Sequence, residues 1–335
     1  MRRLRGSRVL RVGLAVVALG FLAYGVSRRW DETVAALGLL SWWSVAGALA
    51  AVLGGMGFLL VAWQVILAGL GSRLPVRVAA RVLYVGQLGK YVPGSVWAFA
   101  AMIELAREHG SPPRRTFSAT VLGLATSLGC ALAVAAVTLP VTAGEVARQA
   151  WYLLALVPLI VVGLHPRVLT FGLNLALRVA RKEPLDRVLP GAAMLGAGAW
   201  SLLGWVCYGV QLWVLLADVV PEAAGYGPAY LFVVATGAYA LAWATGILTV
   251  VVPAGIGVRE GAMVIALAPV LDTPRALVIA IVSRLVFTLA DVLWAGLGFL
   301  LARTVRTAPA PAASDGPQRC SGGDDASAAD LRLGG

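Results

Sequence analysis

The sequence predicts an all-α, polytopic membrane bundle, and three observations carry that prediction. Hydrophobic residues make up 60% of the 335 residues. Charged residues make up only 13%, about half the roughly 25% usual in soluble domains. Mean hydropathy is +0.85, and the apolar residues gather in runs approaching the roughly 20 residues a spanning helix needs. A soluble core cannot bury that much apolar surface behind a polar exterior. A soluble enzyme and a secreted disulfide module are thereby excluded.

The charges agree. The net charge is +11, and apart from Lys90 and Lys182 every basic residue is arginine. Most of them sit in short gaps between apolar runs, which is how the cytoplasmic loops of a polytopic protein are charged. No basic stripe with interleaved aromatics is present, so no nucleic-acid partner is expected. Cys130, Cys207 and Cys320 have no close spacing, and His109 and His165 lie far apart. Neither a metal site nor any other cofactor is expected.

Nine apolar segments follow in order: 9–26, 43–69, 82–103, 117–140, 150–165, 191–217, 228–251, 256–271 and 276–302. Arg2, Arg3, Arg5, Arg8 and Arg11 precede the first, and no small-x-small cleavage site follows it. It reads as an uncleaved span with a cytoplasmic N-terminus. Segment three has Arg73, Arg77 and Arg81 before it and Arg107, Arg114 and Arg115 after it. Both flanks belong on the cytoplasmic side, so this segment should enter, turn at Pro93-Gly94 and leave on the same side. Irregular backbone at that depth is tolerated only inside protein or beside a water-filled cavity.

The remaining eight segments give an even number of crossings and place both termini in the cytoplasm. Segment eight is short and opens with Pro253-Ala254-Gly255-Ile256-Gly257; were it also re-entrant, the C-terminus would flip outward. Residues 167–182 read as an amphipathic helix on the inner membrane surface, with Arg178, Arg181 and Lys182 on one face. Residues 1–306 form the membrane domain. Residues 307–335, rich in Ala, Pro, Ser and Gly, are expected to be a disordered cytoplasmic tail with no soluble catalytic domain attached. The excess of Arg over Lys, with abundant Ala and Gly, suggests a GC-rich bacterial genome and hence the bacterial cytoplasmic membrane.

Two broken segments echo each other. Leu88-Gly-Lys-Tyr-Val-Pro93 aligns with Leu248-Thr-Val-Val-Val-Pro253, and Pro113-Arg114 and Pro274-Arg275 follow at similar distances. Interrupted helices at matching positions in two halves point to a transporter's binding site. Ionisable residues cluster there. Lys90 precedes the first break, Arg259 and Glu260 follow the second, and Arg284 and Asp291 lie in the last apolar run. A charge at the bilayer centre costs about 2.5–3.5 kcal/mol, so each needs a reason. One reading is a polar pathway lined by Lys90, Arg259 and Arg284. The other is ion pairs that hold the bundle, Arg284 with Asp291 or Arg259 with Glu260. Gly47, Ala51 and Gly55, at four-residue spacing, read as close helix packing. Trp30, Trp42, Trp43 and Trp151 read as interfacial anchors. No P-loop occurs, and the glycines around Gly257 lack the spacing of a dinucleotide loop.

The stretch Gln87-Leu-Gly-Lys-Tyr-Val-Pro-Gly-Ser-Val-Trp97, followed by Glu104 and Gly110, resembles the first signature of the lysylphosphatidylglycerol synthase transmembrane region. Val252-Pro-Ala-Gly-Ile-Gly-Val-Arg-Glu-Gly261, followed by Arg284, resembles the second, with Ala254 where the family often has glycine. The resemblance covers roughly residues 10–305. It implies the flippase half of bifunctional relatives, in which a separate domain aminoacylates the lipid. Lipid translocation without the synthase reaction is therefore expected, on an anionic phospholipid or a lipid-linked headgroup.

The expected substrate-binding residues are Gln87, Lys90, Tyr91, Pro93, Gly94, Pro253, Gly255, Gly257, Arg259, Glu260 and Arg284, with no catalytic residue among them. The expected partner is a membrane lipid with an anionic headgroup, together with a separate lipid-modifying enzyme. Two alternatives stay open. One is a membrane-embedded transferase acting on a polyprenyl-linked substrate through Asp31 and Glu32. The other is a non-transporting scaffold for a lipid-modifying enzyme.

Overall fold

A computed structural model describes residues 31, 34–35, 38–91, 96–142, 156–179, 189–221, 224–249 and 257–303. Every regular element among them is helical, as the composition requires. The chain groups into two units, Met1–Val305 and Arg306–Gly335. The second unit lies outside the described residues, as do the apolar segment 9–26 and Arg181 and Lys182 of the expected surface helix.

In order, the helices are α1 (Trp42–Gly69), α2 (Val76–Ala80), α3 (Val96–Arg107), α4 (Pro113–Thr142), α5 (Leu156–Gly163), α6 (Pro166–Val179), α7 (Gly191–Val219), α8 (Pro228–Leu248), α9 (Val258–Leu267) and α10 (Thr273–Arg303). A π-helical turn, Arg81–Val85, and a 3₁₀ turn, Leu88–Tyr91, continue α2. Among the described residues, α1, α4, α7, α8 and α10 are long and apolar enough to cross a membrane. Ser41 caps α1 by accepting from Trp43 N at 3.3 Å, and the exposed Trp42 and Trp43 mark that end, as expected of interfacial anchors.

Cross-helix bonds give each helix its direction. Ser41 N donates to Asp218 Oδ2 at 2.7 Å, so α1 starts where α7 ends. Trp63 Nε1 donates to Thr120 Oγ1 at 3.3 Å, so α4 starts where α1 ends. The α1–α7 pairing is close because small residues line it. A Cβ on Gly55 would come within 2.6 Å of the Tyr208 ring, and one on Gly204 within 3.2 Å of Gly55 O. The four-residue spacing at Gly47, Ala51 and Gly55 thus serves helix packing.

Segment three turns back, as its charges require. Ser72 and Ser111, at its two ends, share a hydrogen bond of 2.8 Å between side-chain oxygens. Arg115 Nη1 donates to Gly71 O at 2.7 Å. Both flanks therefore meet at one end of the bundle. The two legs touch at glycines: a Cβ on Gly89 would lie 2.6 Å from Ala98 N, and one on Gly86 2.3 Å from the Met102 side chain.

Segment eight behaves differently. Tyr226 OH donates to Pro269 O at 3.0 Å, while Gly246 lies against Arg259. The short α9 thus runs back along α8, and α10 starts at the end where α8 started. Ten helical residues span about 15 Å, half of the roughly 30 Å hydrocarbon core, and the residues before α9, 250–256, lie outside the described ones. Gly298 lies against Arg81, so α10 finishes at the end where the hairpin's flanks meet.

The echo seen in the sequence has a structural counterpart. Each break leads to a short helix (α3, α9), then a turn, then a long helix opening with a proline (α4, α10). The two long helices run in opposite directions, the arrangement of an inverted repeat.

Helix α6 is amphipathic. Val168, Phe171 and Leu175 form an exposed apolar stripe at helical spacing, with exposed Arg167 and Arg178 near its ends, which suits a helix lying in the membrane interface.

Candidate functional site

Helix α10 supplies the axis of the site. Arg284 and Asp291 stand seven residues apart, close to two helical turns and therefore on one face. Asp291 is 7% exposed, and its Oδ2 lies 2.6 Å from Lys90 Nζ. Lys90 sits in the 3₁₀ turn that ends the hairpin's first leg and is 40% exposed. One carboxylate of the last span therefore grips the tip of the re-entrant hairpin.

The second break contributes the other half. Gly257, at φ +84°, occupies the left-handed region that a side chain would strain, and it starts α9. Its N–H donates to Glu260 Oε2 at 2.6 Å, a reach-back from the third helical position that caps the helix. Glu260 is 3% exposed, and its other oxygen receives Arg284 Nη1. One carboxylate thus closes the helix start and holds a cation from α10.

Arg259 follows a different course. Consecutive helical residues diverge by about 100°, so Arg259 turns away from Glu260 towards α8. Its Nη2 donates to Tyr239 OH. Its guanidinium carbon lies 5.0 Å from the Tyr239 ring centre and 5.4 Å from that of Phe287, within cation–π range. Those rings stack on each other at 4.9 Å, and Tyr208 meets both. Arg259 therefore rests against an aromatic wall and a phenol.

Towards the end where α10 starts, Ser283 Oγ donates to Gln211 Oε1 at 3.2 Å. Gln211 is fully buried, and its Nε2 has no hydrogen-bond partner among the described residues. Tyr84, in the π-helical turn, donates to Met56 O and stacks on Trp294 at 4.6 Å. This holds the hairpin against α1 and α10.

Of the residues expected at the site, Lys90, Arg259, Glu260, Arg284 and Gly257 come together around α10. Gln87 lies half-buried one turn before Lys90, and Tyr91 ends the same 3₁₀ turn. Pro93, Gly94, Pro253 and Gly255 lie outside the described residues. The pairings differ from the sequence reading. Glu260 takes Arg284 rather than its neighbour Arg259, because the two diverge around α9, and Asp291 takes Lys90 from the hairpin. Sequence reasoning missed Tyr239, Phe287 and Gln211 as site residues. A phenol and an amide inside apolar runs were the signals available for two of them; Phe287 gave none. Asp31, the candidate transferase acid, is exposed at the far end of the sequence from this cluster, and Glu32 lies outside the described residues.

The cluster thus brings together three cations and two carboxylates from three separate elements: the 3₁₀ turn that ends the hairpin's first leg, the start of α9, and one face of α10. It can hold an anion through charge-assisted hydrogen bonds. Compared with known proteins, residues 8–295 match the family described as lysylphosphatidylglycerol synthase TM region. No curated protein matches the chain. With most of its length matched, the chain belongs to this family, and it is a multi-pass membrane protein.

Proposed function

We propose that this member of the lysylphosphatidylglycerol synthase TM region family is a lipid translocator of the bacterial cytoplasmic membrane. It moves an anionic phospholipid or lipid-linked headgroup between leaflets. The observation that carries this reading is the convergence of Lys90, Arg259 and Arg284 at two interrupted helices. Intramembrane cations are costly and mark substrate paths, and broken helices near the midplane are where transporters bind their cargo. The headgroup would exchange places with the internal partners of these cations while the acyl chains stay in lipid. The protein then supplies a polar route and no bond is made or broken.

Orientation follows from charge. Arg73, Arg77, Arg107, Arg114 and Arg115 flank the hairpin at the end where α10 finishes at Arg303, and such an end faces the cytoplasm. The C-terminus is then cytoplasmic. Ser41 lies at the opposite end, so a single crossing by segment 9–26 makes the N-terminus cytoplasmic too. A separate lipid-modifying enzyme would supply the headgroup.

The test uses purified protein in liposomes that contain fluorescent lipids of different headgroup charge, with an impermeant quencher outside. Protein-dependent access to an anionic lipid, lost in Lys90→Ala and Arg259→Ala, supports the reading. Movement that survives both substitutions overturns the assignment to these residues, and no protein-dependent movement of any lipid tested overturns the translocator and favours a scaffold or the transferase.

A further inference from the structure

Helix α6 carries a surface that the translocation reading leaves unused. Two residues separate it from α5, and one of them, Leu164, lies against Gly129 of α4. The helix itself rests on α4, with Thr170 only 4% exposed on the side towards the bundle. Val168, Phe171 and Leu175 are exposed, Phe171 to 71%. At about 100° per residue the three fall within a sector of roughly 60°, turned away from Thr170.

The charges border that sector on one edge. Arg167 and Arg178 are eleven residues apart, which is close to three turns, so they share an edge of the helix and stand about 16 Å apart along it. Both are exposed, and neither forms an ion pair among the described residues. The helix has no other charged residue and no acidic one. An apolar stripe with cations along one edge has a single favourable place beside a bilayer. The stripe enters the acyl region while the arginine edge stays at headgroup depth, where long basic side chains reach the phosphates. With two residues joining α6 to the apolar α5, the bilayer is the surface within its reach.

We propose that α6 is a docking surface for anionic phospholipids. Phe171, Val168 and Leu175 supply the apolar hold, and Arg167 and Arg178 select for negatively charged headgroups. Without a carboxylate on the helix, nothing offsets the attraction of the two cations to an anionic surface. This surface shares no residue with the cluster around α10, so it stands or falls separately from the translocation reading.

The experiment places a nitroxide at Phe171→Cys, and in a second sample at Leu175→Cys, in the full chain cleared of its native cysteines. The protein is held in nanodiscs of phosphatidylcholine with and without phosphatidylglycerol. Collisions with oxygen, which partitions into lipid, are compared with collisions with a water-soluble nickel chelate. In the anionic discs both labels should favour oxygen. In phosphatidylcholine alone the balance should move towards the chelate. In the anionic discs, Arg167→Gln and Arg178→Gln should each move it the same way, by roughly fivefold per arginine. The comparison between disc compositions needs no arginine substitution, so it stands even where a variant folds poorly.

Preference for the chelate in anionic discs overturns the proposal. So does a preference for oxygen that neither lipid charge nor either substitution alters, because the apolar stripe alone would then hold the helix. Protection of both labels from both reagents also overturns it, and assigns the stripe to a protein partner such as a second copy of this chain.

Discussion

Lys90, at the end of the first leg of a segment whose two flanks meet at one end of the bundle, is held 2.6 Å from Asp291 in the last span. The hairpin and the span are distant in sequence, and this contact places the first helix break against the axis that carries Arg284. Asp291 is nearly buried, so the pair couples fold and function. Lys90→Ala should take a cation from the carboxylate and lower stability by about 1–3 kcal/mol, less than for a fully buried pair because Lys90 is partly exposed. Adding Asp291→Asn to Lys90→Ala should recover much of that loss. Thermal unfolding in detergent of the two single variants and the double variant gives the coupling; strict additivity would dissolve the pair.

Arg259 and Arg284 should separate stability from transport. Removing Arg284 leaves Glu260 buried without its cation, at a cost of about 3–5 kcal/mol. Removing Arg259 strands only neutral rings and a phenol, so Arg259→Ala should unfold within a few degrees of the native protein while losing lipid movement. A large loss of melting temperature in Arg259→Ala would contradict this assignment.

Gly89 has no room for a side chain, since the backbone of Ala98 would lie 2.6 Å from its Cβ. Backbone cannot swing aside as a side-chain tip can. Gly89→Ala should part the hairpin's legs, cost about 1–3 kcal/mol and weaken lipid movement. Gly54, exposed and with nothing within 4 Å of a Cβ, is the control: Gly54→Ala should raise stability by about 0.5–1 kcal/mol. Melting curves of the two variants in detergent check both signs.

Topology is open to direct labelling. In a chain cleared of its native cysteines, Arg73→Cys and Arg114→Cys should react with an impermeant thiol reagent from the same side as Arg303→Cys. Asp272→Cys, between α9 and α10, should react from the opposite side. Labelling of positions 73 and 114 from opposite sides would turn the hairpin into a span.

Much of this was legible in the amino-acid sequence, because membranes constrain sequence strongly. Backbone polar groups must be satisfied within each segment, so apolar runs become helices. The predicted segment 43–69 is α1 to within one residue. Arginines on both sides of 82–103 were enough to fold it back, and the Ser72–Ser111 contact shows that result. The residues around Lys90, Arg259 and Arg284 stood out because a charge in an apolar run demands a reason.

Partner choice was not legible. Whether Glu260 meets Arg259 or Arg284 depends on which way the first turn of α9 faces, and that is set by the left-handed Gly257 and by packing on α8. Tyr239 and Phe287 looked like ordinary members of apolar helices, and only the approach of α9 to α8 turns them into a seat for Arg259. Sequence alone determined the helices, the turning hairpin and the identity of the buried charges, since these follow from the cost of placing polar groups in hydrocarbon. Tertiary structure decided which charges meet and which cation is left facing neutral groups, because those outcomes depend on distances between elements that no local pattern encodes.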